Sequence, residues 1–386
     1  MKLRVLFVCW ISFLRRAAIR EQEMEFNDVR LQYKQHCEEI DSVIAQTLSS
    51  GKYILGPACE AFEDEFARFC GSAIGVGVAS GTDALKIGLR ALGVRPGDEV
   101  LVPAVSAAAT AMAVAELHAI PVFADIRPDD FTMDPADASE KRTSRTRAVV
   151  PVHLYGMPAH LRELAALRLP LLEDAAQAHG SDAPWGRCGS FGAASAFSFY
   201  PTKNLGAYGD GGMLVTSDPA IAERARLARN YGQREHYVSE VPGGNSRLDE
   251  LHAAVLRVKL KRLESWNQRR REIAEAYATA FKDLPLGLQA RTGRSNYHLF
   301  VVTTPDRDAL RRHLTSLEIP TLIHYPVPLT KQKAFADFSP RACPNAEQLC
   351  SRVLSLPIHP ALADHEVERV IEGVASFFKS ASRRSR

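Results

Sequence analysis

The chain has 386 residues, 46% hydrophobic and 24% charged, with a formal net charge of +3. That length is too great for one hydrophobic core and suits two domains of an ordinary soluble globular protein, and the small charge argues against a nucleic-acid binder. Seven cysteines, odd in number, scattered and without a C-x-x-C pair, argue for a reducing compartment and against a disulfide framework or zinc site.

The first segment opens with Met1-Lys2-Leu3-Arg4 and an apolar run, Val5 to Leu14, closed by Arg15-Arg16. The run is too short to span a bilayer, and no A-x-A cleavage site follows it. Met24 stands just before a segment that reads as an ordinary domain start. Residues 1–23 are therefore expected to lie outside the fold as an extension from an upstream start codon; a signal or anchor is the lesser alternative. Ile40, Val43, Ile44 and Leu48 fall at helical spacing, and Pro57 to Phe69 reads as a second helix with Phe62, Phe66 and Phe69 on one packing face.

From Ala73 strands and helices alternate. Strands are predicted at Ala73–Ala79, Val100–Val102, Pro121–Ala124, Ala148–Leu154, Pro170–Leu172, Ala193–Tyr200 and from Met213, with helices at Ala84–Leu92, Ala107–His118 and Leu161–Leu167. This alternation implies a mainly parallel sheet covered on both faces, with functional groups at strand ends. After Leu248 the pattern changes. Asp249 to Phe281 reads as one long helix leading to a smaller domain with a strand at Tyr297–Val302, a helix at Arg307–Leu317 and a last helix at His365–Phe378.

Three segments carry chemistry. Ser80-Gly81-Thr82-Asp83 joins a strand to a helix, where free N–H groups and hydroxyls bind phosphate; a simple helix cap is the plain alternative. Leu171-Leu172-Glu173-Asp174-Ala175-Ala176-Gln177-Ala178-His179 runs an apolar strand into two acids, and a buried carboxylate needs a partner to stay ionised. Phe197 to Gly212 places Lys203 at a strand end, in a loop whose glycines allow close approach of a ligand. Together they meet the needs of pyridoxal 5'-phosphate. Lys203 forms an imine with the aldehyde, Asp174 keeps the pyridine nitrogen protonated and Gln177 bonds the phenolic oxygen. Ser198, with the loop at Thr82 and Asp83, holds the phosphate.

These segments resemble the motifs of the DegT/DnrJ/EryC1/StrS sugar aminotransferases, a resemblance that runs from about Met24 to about Ser376. His324-Tyr325-Pro326-Val327-Pro328 and Leu354-Ser355-Leu356-Pro357 are similar to that family's C-terminal signatures. The resemblance implies an α/β, aspartate-aminotransferase type (type I) fold. It comprises a large domain with a seven-stranded, mixed and mainly parallel sheet (24–255), a small α/β domain (256–386), and a homodimer with shared active sites. It makes Lys203 the Schiff-base lysine and general acid–base catalyst. Asp174, Gln177, Ser198, Thr82 and Asp83 become cofactor ligands, and Asn245 reaches the partner's phosphate site. His179, Tyr208 and His324 are possible substrate-side groups, each also readable as packing.

The activity implied is transfer of an amino group from glutamate to a nucleotide-linked keto sugar in the cytoplasm, with no metal, membrane or nucleic acid. A lipopolysaccharide, surface-layer or antibiotic sugar pathway is expected. Where many members have a ring-stacking aromatic after P-x-x-T, this chain has Ala107; His252 replaces a usual glutamine and Thr330 a usual histidine. The non-aromatic variant and Tyr231-Gly232-Gln233-Arg234-Glu235 resemble the branch acting on dTDP-3-keto-6-deoxyhexoses. Alternatives are a 4-keto sugar or keto-inositol substrate, a dehydratase, which would have histidine in place of Lys203, and a non-catalytic cofactor-binding regulator.

Overall fold

The computed structural model describes residues 24–338 and 340–384, so the expected extension at 1–23 lies outside the described residues. Two N-terminal helices, α1 (Val29–Lys34) and α2 (Cys37–Ser50), lead to α3 (Pro57–Cys70). The strands β1 (Ile74–Val78), β2 (Glu99–Pro103), β3 (Ile120–Ala124), β4 (Thr146–Val149) and β5 (Leu172–Asp174) then alternate with helices α4 (Gly81–Ala91), α5 (Ala109–Ala115), α6 (Pro135–Lys141) and α7 (Leu161–Ala165). A small hairpin, β6 (Asp182–Ala183) and β7 (Gly186–Arg187), precedes β8 (Ala194–Ser198) and β9 (Gly212–Thr216).

One sheet has the order β1-β9-β8-β5 and a second the order β3-β2-β4. The β8–β5, β2–β3 and β2–β4 pairs are parallel, whereas β9 runs antiparallel to both neighbours. Parallel bridges at Val149–Leu171 and Val152–Asp174 join the two sheets edge to edge.

The two-residue period of the strands sorts side chains between cores on opposite faces. In β8, Ala194 and Ala196 face one core while Phe197 faces the other; in β9, Leu214 goes one way and Met213 and Val215 the other. The first core adds Leu85 and Leu89 of α4, and the second adds Phe62 and Phe66 of α3, both fully buried. Burying one such phenyl contributes about 1.5–3 kcal/mol, so the aromatic face expected of α3 is a main attachment of that helix.

Beyond β9 come α8 (Pro219–Arg229), the hairpin β10 (Gln233–Glu235) and β11 (Val238–Ser239), then α9 (Glu250–Leu260) and α10 (Leu263–Phe281). The single long helix expected here is therefore two. At the joint, Arg262 N bonds Lys259 O at 3.0 Å in a three-residue turn. The rest comprises β12 (Gly287–Leu288), β13 (Phe300–Thr303), α11 (Arg307–Ser316), α12 (Pro344–Arg352), β14 (Val353–Leu356) and α13 (Asp364–Arg384). The antiparallel order β12-β13-β14 packs with α10, α11 and α13 around a separate core that includes Tyr277, Phe300, Leu354 and Val370.

Two helix N-termini receive carboxylates from distant sequence. Glu250 accepts from Gly56 N at 3.1 Å and Cys59 N at 3.0 Å, at the start of α3. Asp125 accepts from Asn345 N at 3.0 Å and Ala346 N at 2.9 Å, at the start of α12. Each satisfies first-turn donors that have no acceptor within their own helix.

Candidate active site

The pleat of β5 separates the two acids of the Glu173-Asp174 pair. Glu173, fully buried, accepts from His153 Nε2 at 2.8 Å, from Gly189 N and Gly192 N at 2.7 Å each, and from Phe191 N at 2.9 Å. Burial opposes its charge, but His153 and these N–H groups outweigh it and hold the carboxyl below its usual range. Glu173 is thus a structural hub that organises the turn before β8.

Asp174 faces the other way, into a cavity of about 260 Å³ at the C-terminal ends of β5 and β8 and the N-terminus of α4. Its Oδ2 accepts from Thr110 Oγ1 at 2.7 Å and its Oδ1 from Ala176 N at 3.2 Å. Burial pushes the carboxyl up, against Thr110, Ala176 and Lys203.

Pro201 ends the strand, and Lys203 N bonds Tyr200 O at 2.9 Å in the turn that follows. This turn sends the lysine side chain back to the cavity wall. Burial lowers its amine to about 8, with Asp174 pulling the other way. Among the described residues Lys203 Nζ makes no hydrogen bond or ion pair, so a buried, weakened base stands opposite Asp174.

The opposite wall is the start of α4. Ser80 caps the helix, its Oγ accepting from Asp83 N at 3.1 Å, and Ser80, Gly81 and Thr82 line the cavity beside Ser198. A Cβ on Gly81 would stand 2.6 Å from Ser198 Cβ, and one on Gly212 would stand 2.3 Å from Ser80 O. Glycine at both positions lets helix start and strand end close on each other, so first-turn N–H groups and two hydroxyls converge.

The expected residues do not all meet here. Thr82, Asp174, Gln177, Ser198 and Lys203 line the cavity, and so does Ala107, where the resemblance places an aromatic ring. Gln177 accepts from Tyr155 N at 2.6 Å and donates to Tyr325 OH at 3.1 Å. Asp83 stands just behind the wall: its N–H serves the cap, and its carboxylate pairs with Lys86 at 2.9 Å and accepts from Ser246 Oγ at 2.8 Å.

His179, offered as a substrate-side group, is fully buried and does not line the cavity. It sits among Phe66, Phe197 and Phe199, at ring distances of 6.2, 5.3 and 5.9 Å, and burial lowers its imidazole to about 3. These rings enclose it, which is the packing alternative that stood beside the substrate-side reading. Tyr208 is exposed, edge-on to Tyr33 at 6.0 Å with Lys259 Nζ 4.3 Å from its ring centre. His324 bonds Ser355 Oγ at 2.9 Å, and burial lowers it to about 4. Neither lines the cavity. Asn245 is exposed, bridged to Asn230.

Ser106, Thr110, Tyr155 and Tyr325 were not anticipated. Ser106 stands at the motif position just before Ala107, and Thr110 follows four residues on in an alanine-rich stretch that gives it no mark of its own. Among the described residues no group of His, Cys, Asp or Glu could hold a metal ion, and no helix is long and apolar enough to cross a membrane.

A buried amine of lowered basicity, a facing carboxyl group and a helix start suited to an anion make a site for carbonyl–amine chemistry on a phosphorylated ligand. The chain is 48% identical over 358 residues to dTDP-3-amino-3,4,6-trideoxy-alpha-D-glucose transaminase of Streptomyces venezuelae, covering 90% of this chain and 94% of that protein. It is 43% identical over 355 residues to dTDP-3-amino-3,6-dideoxy-alpha-D-galactopyranose transaminase of Aneurinibacillus thermoaerophilus, with 90% and 98% covered. The crystal structure of S. venezuelae DesV in complex with a ketimine intermediate superposes with a TM-score of 0.90 at 46% identity, covering 92% of this chain and 99% of that one. Residues 34–375 match the DegT/DnrJ/EryC1/StrS aminotransferase family, and the chain belongs to that family.

Proposed function

We propose that the protein moves an amino group from glutamate to the keto group of a nucleotide-linked sugar, a dTDP-3-keto-6-deoxyhexose, with pyridoxal 5'-phosphate as carrier. The observation that carries this is the buried Lys203 amine, without a hydrogen bond or ion pair among the described residues, in one cavity with Asp174. The substrate class rests on the relatives, both named for dTDP-3-amino sugars.

The residues fit the cofactor. Lys203 supplies an amine for its carbonyl, Asp174 an anion for its ring N–H, and the first turn of α4 with Thr82 and Ser198 a cradle for its phosphate. When bound, it supplies a carbonyl that captures amines and a ring that withdraws electrons from the neighbouring carbon. Asp174 keeps the ring nitrogen protonated, and burial makes that pairing strong by excluding water. Gln177, fixed at both ends by Tyr155 and Tyr325, orients the ring. Lys203 would move a proton from the donor carbon to the cofactor carbon on the far side of their shared nitrogen, a task suited to an amine of pKa about 8.

In this proposal the two bridged sheets act as one seven-stranded sheet of a large domain, 24–255, with 256–386 as the small domain. The exposed Asn245 serves the active site of a partner in a cytoplasmic homodimer. Tyr208 and His324 remain candidates for substrate contact at the rim.

The substrate is tested by offering the purified enzyme, loaded with cofactor and glutamate, dTDP-linked 3-keto and 4-keto sugars. The 3-keto sugar is expected to turn over at least tenfold faster. Preference for the 4-keto sugar would overturn the choice of branch while leaving aminotransfer intact.

A further inference from the structure

Ser106 and Thr110 stand behind Asp174, 3% and 1% exposed. Thr110 Oγ1 is 2.7 Å from Asp174 Oδ2, and Ser106 Oγ is 2.8 Å from Thr110 Oγ1. Donor counting gives this chain a direction. An ionised carboxylate only accepts, and a hydroxyl has one proton to give. Thr110 therefore donates to Asp174, and Ser106 donates to Thr110. Ser106 is itself a residue of the cavity wall.

We propose that Ser106 and Thr110 are positioning residues that aim the Asp174 carboxylate and hold it ionised through a one-way hydrogen-bond chain. This deepens the function proposed above and rests on it for the role of Asp174.

The need for such a device follows from the surroundings. Asp174 is nearly fully buried, which favours its neutral form; a neutral acid could not keep a ring nitrogen protonated. Around it, Lys203 faces it from the turn after β8 and His153 from the segment after β4. Tyr325 feels its charge from the C-terminal part of the chain, and Gln177 bonds that tyrosine. Glu173 is turned to the opposite face and engaged there. Lys203 is an amine of the cavity wall, and on release or capture of a ligand its charge changes. The Thr110 hydroxyl is a partner that does not change through the reaction, so it supports Asp174 independently of the state of Lys203. It also holds one oxygen, leaving the plane of the carboxylate set by Thr110 on Oδ2 and Ala176 N on Oδ1.

The test titrates Asp174 itself in the cofactor-free protein, by infrared difference spectroscopy of its carboxyl band, assigned with Asp174→Asn. Thr110→Val keeps the shape and removes the donor. A hydrogen bond to a charged group of ordinary strength converts to a rise of about one to two pH units in the midpoint. Ser106→Ala is expected to shift it in the same direction by less, and Thr110→Ser to restore the parent value. In the loaded enzyme, the acid limb of the glutamate half-reaction should move up with Thr110→Val in parallel. An unchanged midpoint in folded Thr110→Val would overturn the proposal. So would an equal shift in Thr110→Ser, because the hydroxyl would then not be its cause. A merely structural Thr110 would lower Tm and leave the midpoint in place. Because the infrared titration needs no cofactor or substrate, its outcome is separable from that of the aminotransfer itself.

Discussion

Lys203 is held in a conformation that costs stability. Its amine titrates near 8 in the folded chain against 10.5 for an unperturbed lysine. Between those values the unfolded chain binds more protons than the folded one, so this group makes stability rise with pH; below about 8 the folded protein carries the full penalty of a buried charge. Lys203→Met should therefore raise Tm of the cofactor-free protein at pH 7 and lose that advantage above pH 10, measured by calorimetry across pH. The same substitution should abolish amino transfer. A Tm below that of the parent at pH 7 would mean that the amine contributes contacts the geometry does not show. That Lys203, Asp174, Gln177 and Ser198 come together was legible because each lies at or just past the end of an apolar strand within a segment that resembles a family motif. Thr110 was not, because a lone hydroxyl in an alanine-rich helix reads as filler until the fold brings it to a carboxylate 64 residues away.

Strands proved easier to locate than helix starts. Apolar runs of three to eight residues marked every strand of the two adjoining sheets, since buried parallel strands are hydrophobic on both sides. Helices α6 and α8 went unanticipated, although each opens with Asp-Pro: Asp134 caps Ala136 N at 2.9 Å and Asp218 caps Ala220 N at 2.8 Å. Both signals were present in local sequence. The caps that Glu250 gives α3 and Asp125 gives α12 were not, because the donor and acceptor segments lie roughly two hundred residues apart and only the tertiary fold joins them. Glu250→Ala leaves the N–H groups of Gly56 and Cys59 unpaired in a buried setting. It should destabilise the protein by about 1–3 kcal/mol in urea unfolding. A change within about 0.5 kcal/mol would show that water replaces the carboxylate there.

At the scale of the molecule, the proposal that Asn245 serves a partner's site needs a surface around it for that partner to cover. Tyr237 is 84% exposed, with Val238 and Val241 beside it in sequence and Tyr53, Ile54 and Tyr200 also open to solvent. Under the proposed homodimer, these side chains are the ones expected to be covered by the partner. If the partner's Asn245 completes each site, Lys203→Ala and Asn245→Ala homodimers should both be impaired. Mixing them under exchange should recover activity, because each heterodimer holds one site with both native residues. No recovery in a verified heterodimer would contradict the shared site. The α/β class, the strand-and-helix order and the lysine loop could all be seen in the sequence. The division of α9 from α10 could not, since their charged and apolar residues run on without a glycine or proline between them.

The most direct test of the central claim is the absorbance of the purified protein, loaded with pyridoxal phosphate, before and after glutamate, alongside Lys203→Ala. The account predicts a yellow protein that loses its colour on adding glutamate and regains it with the keto sugar, and a Lys203→Ala variant that does not complete the cycle. A parent protein that takes up the cofactor and keeps its colour unchanged by any amino donor, or a Lys203→Ala variant that turns over normally, would contradict it.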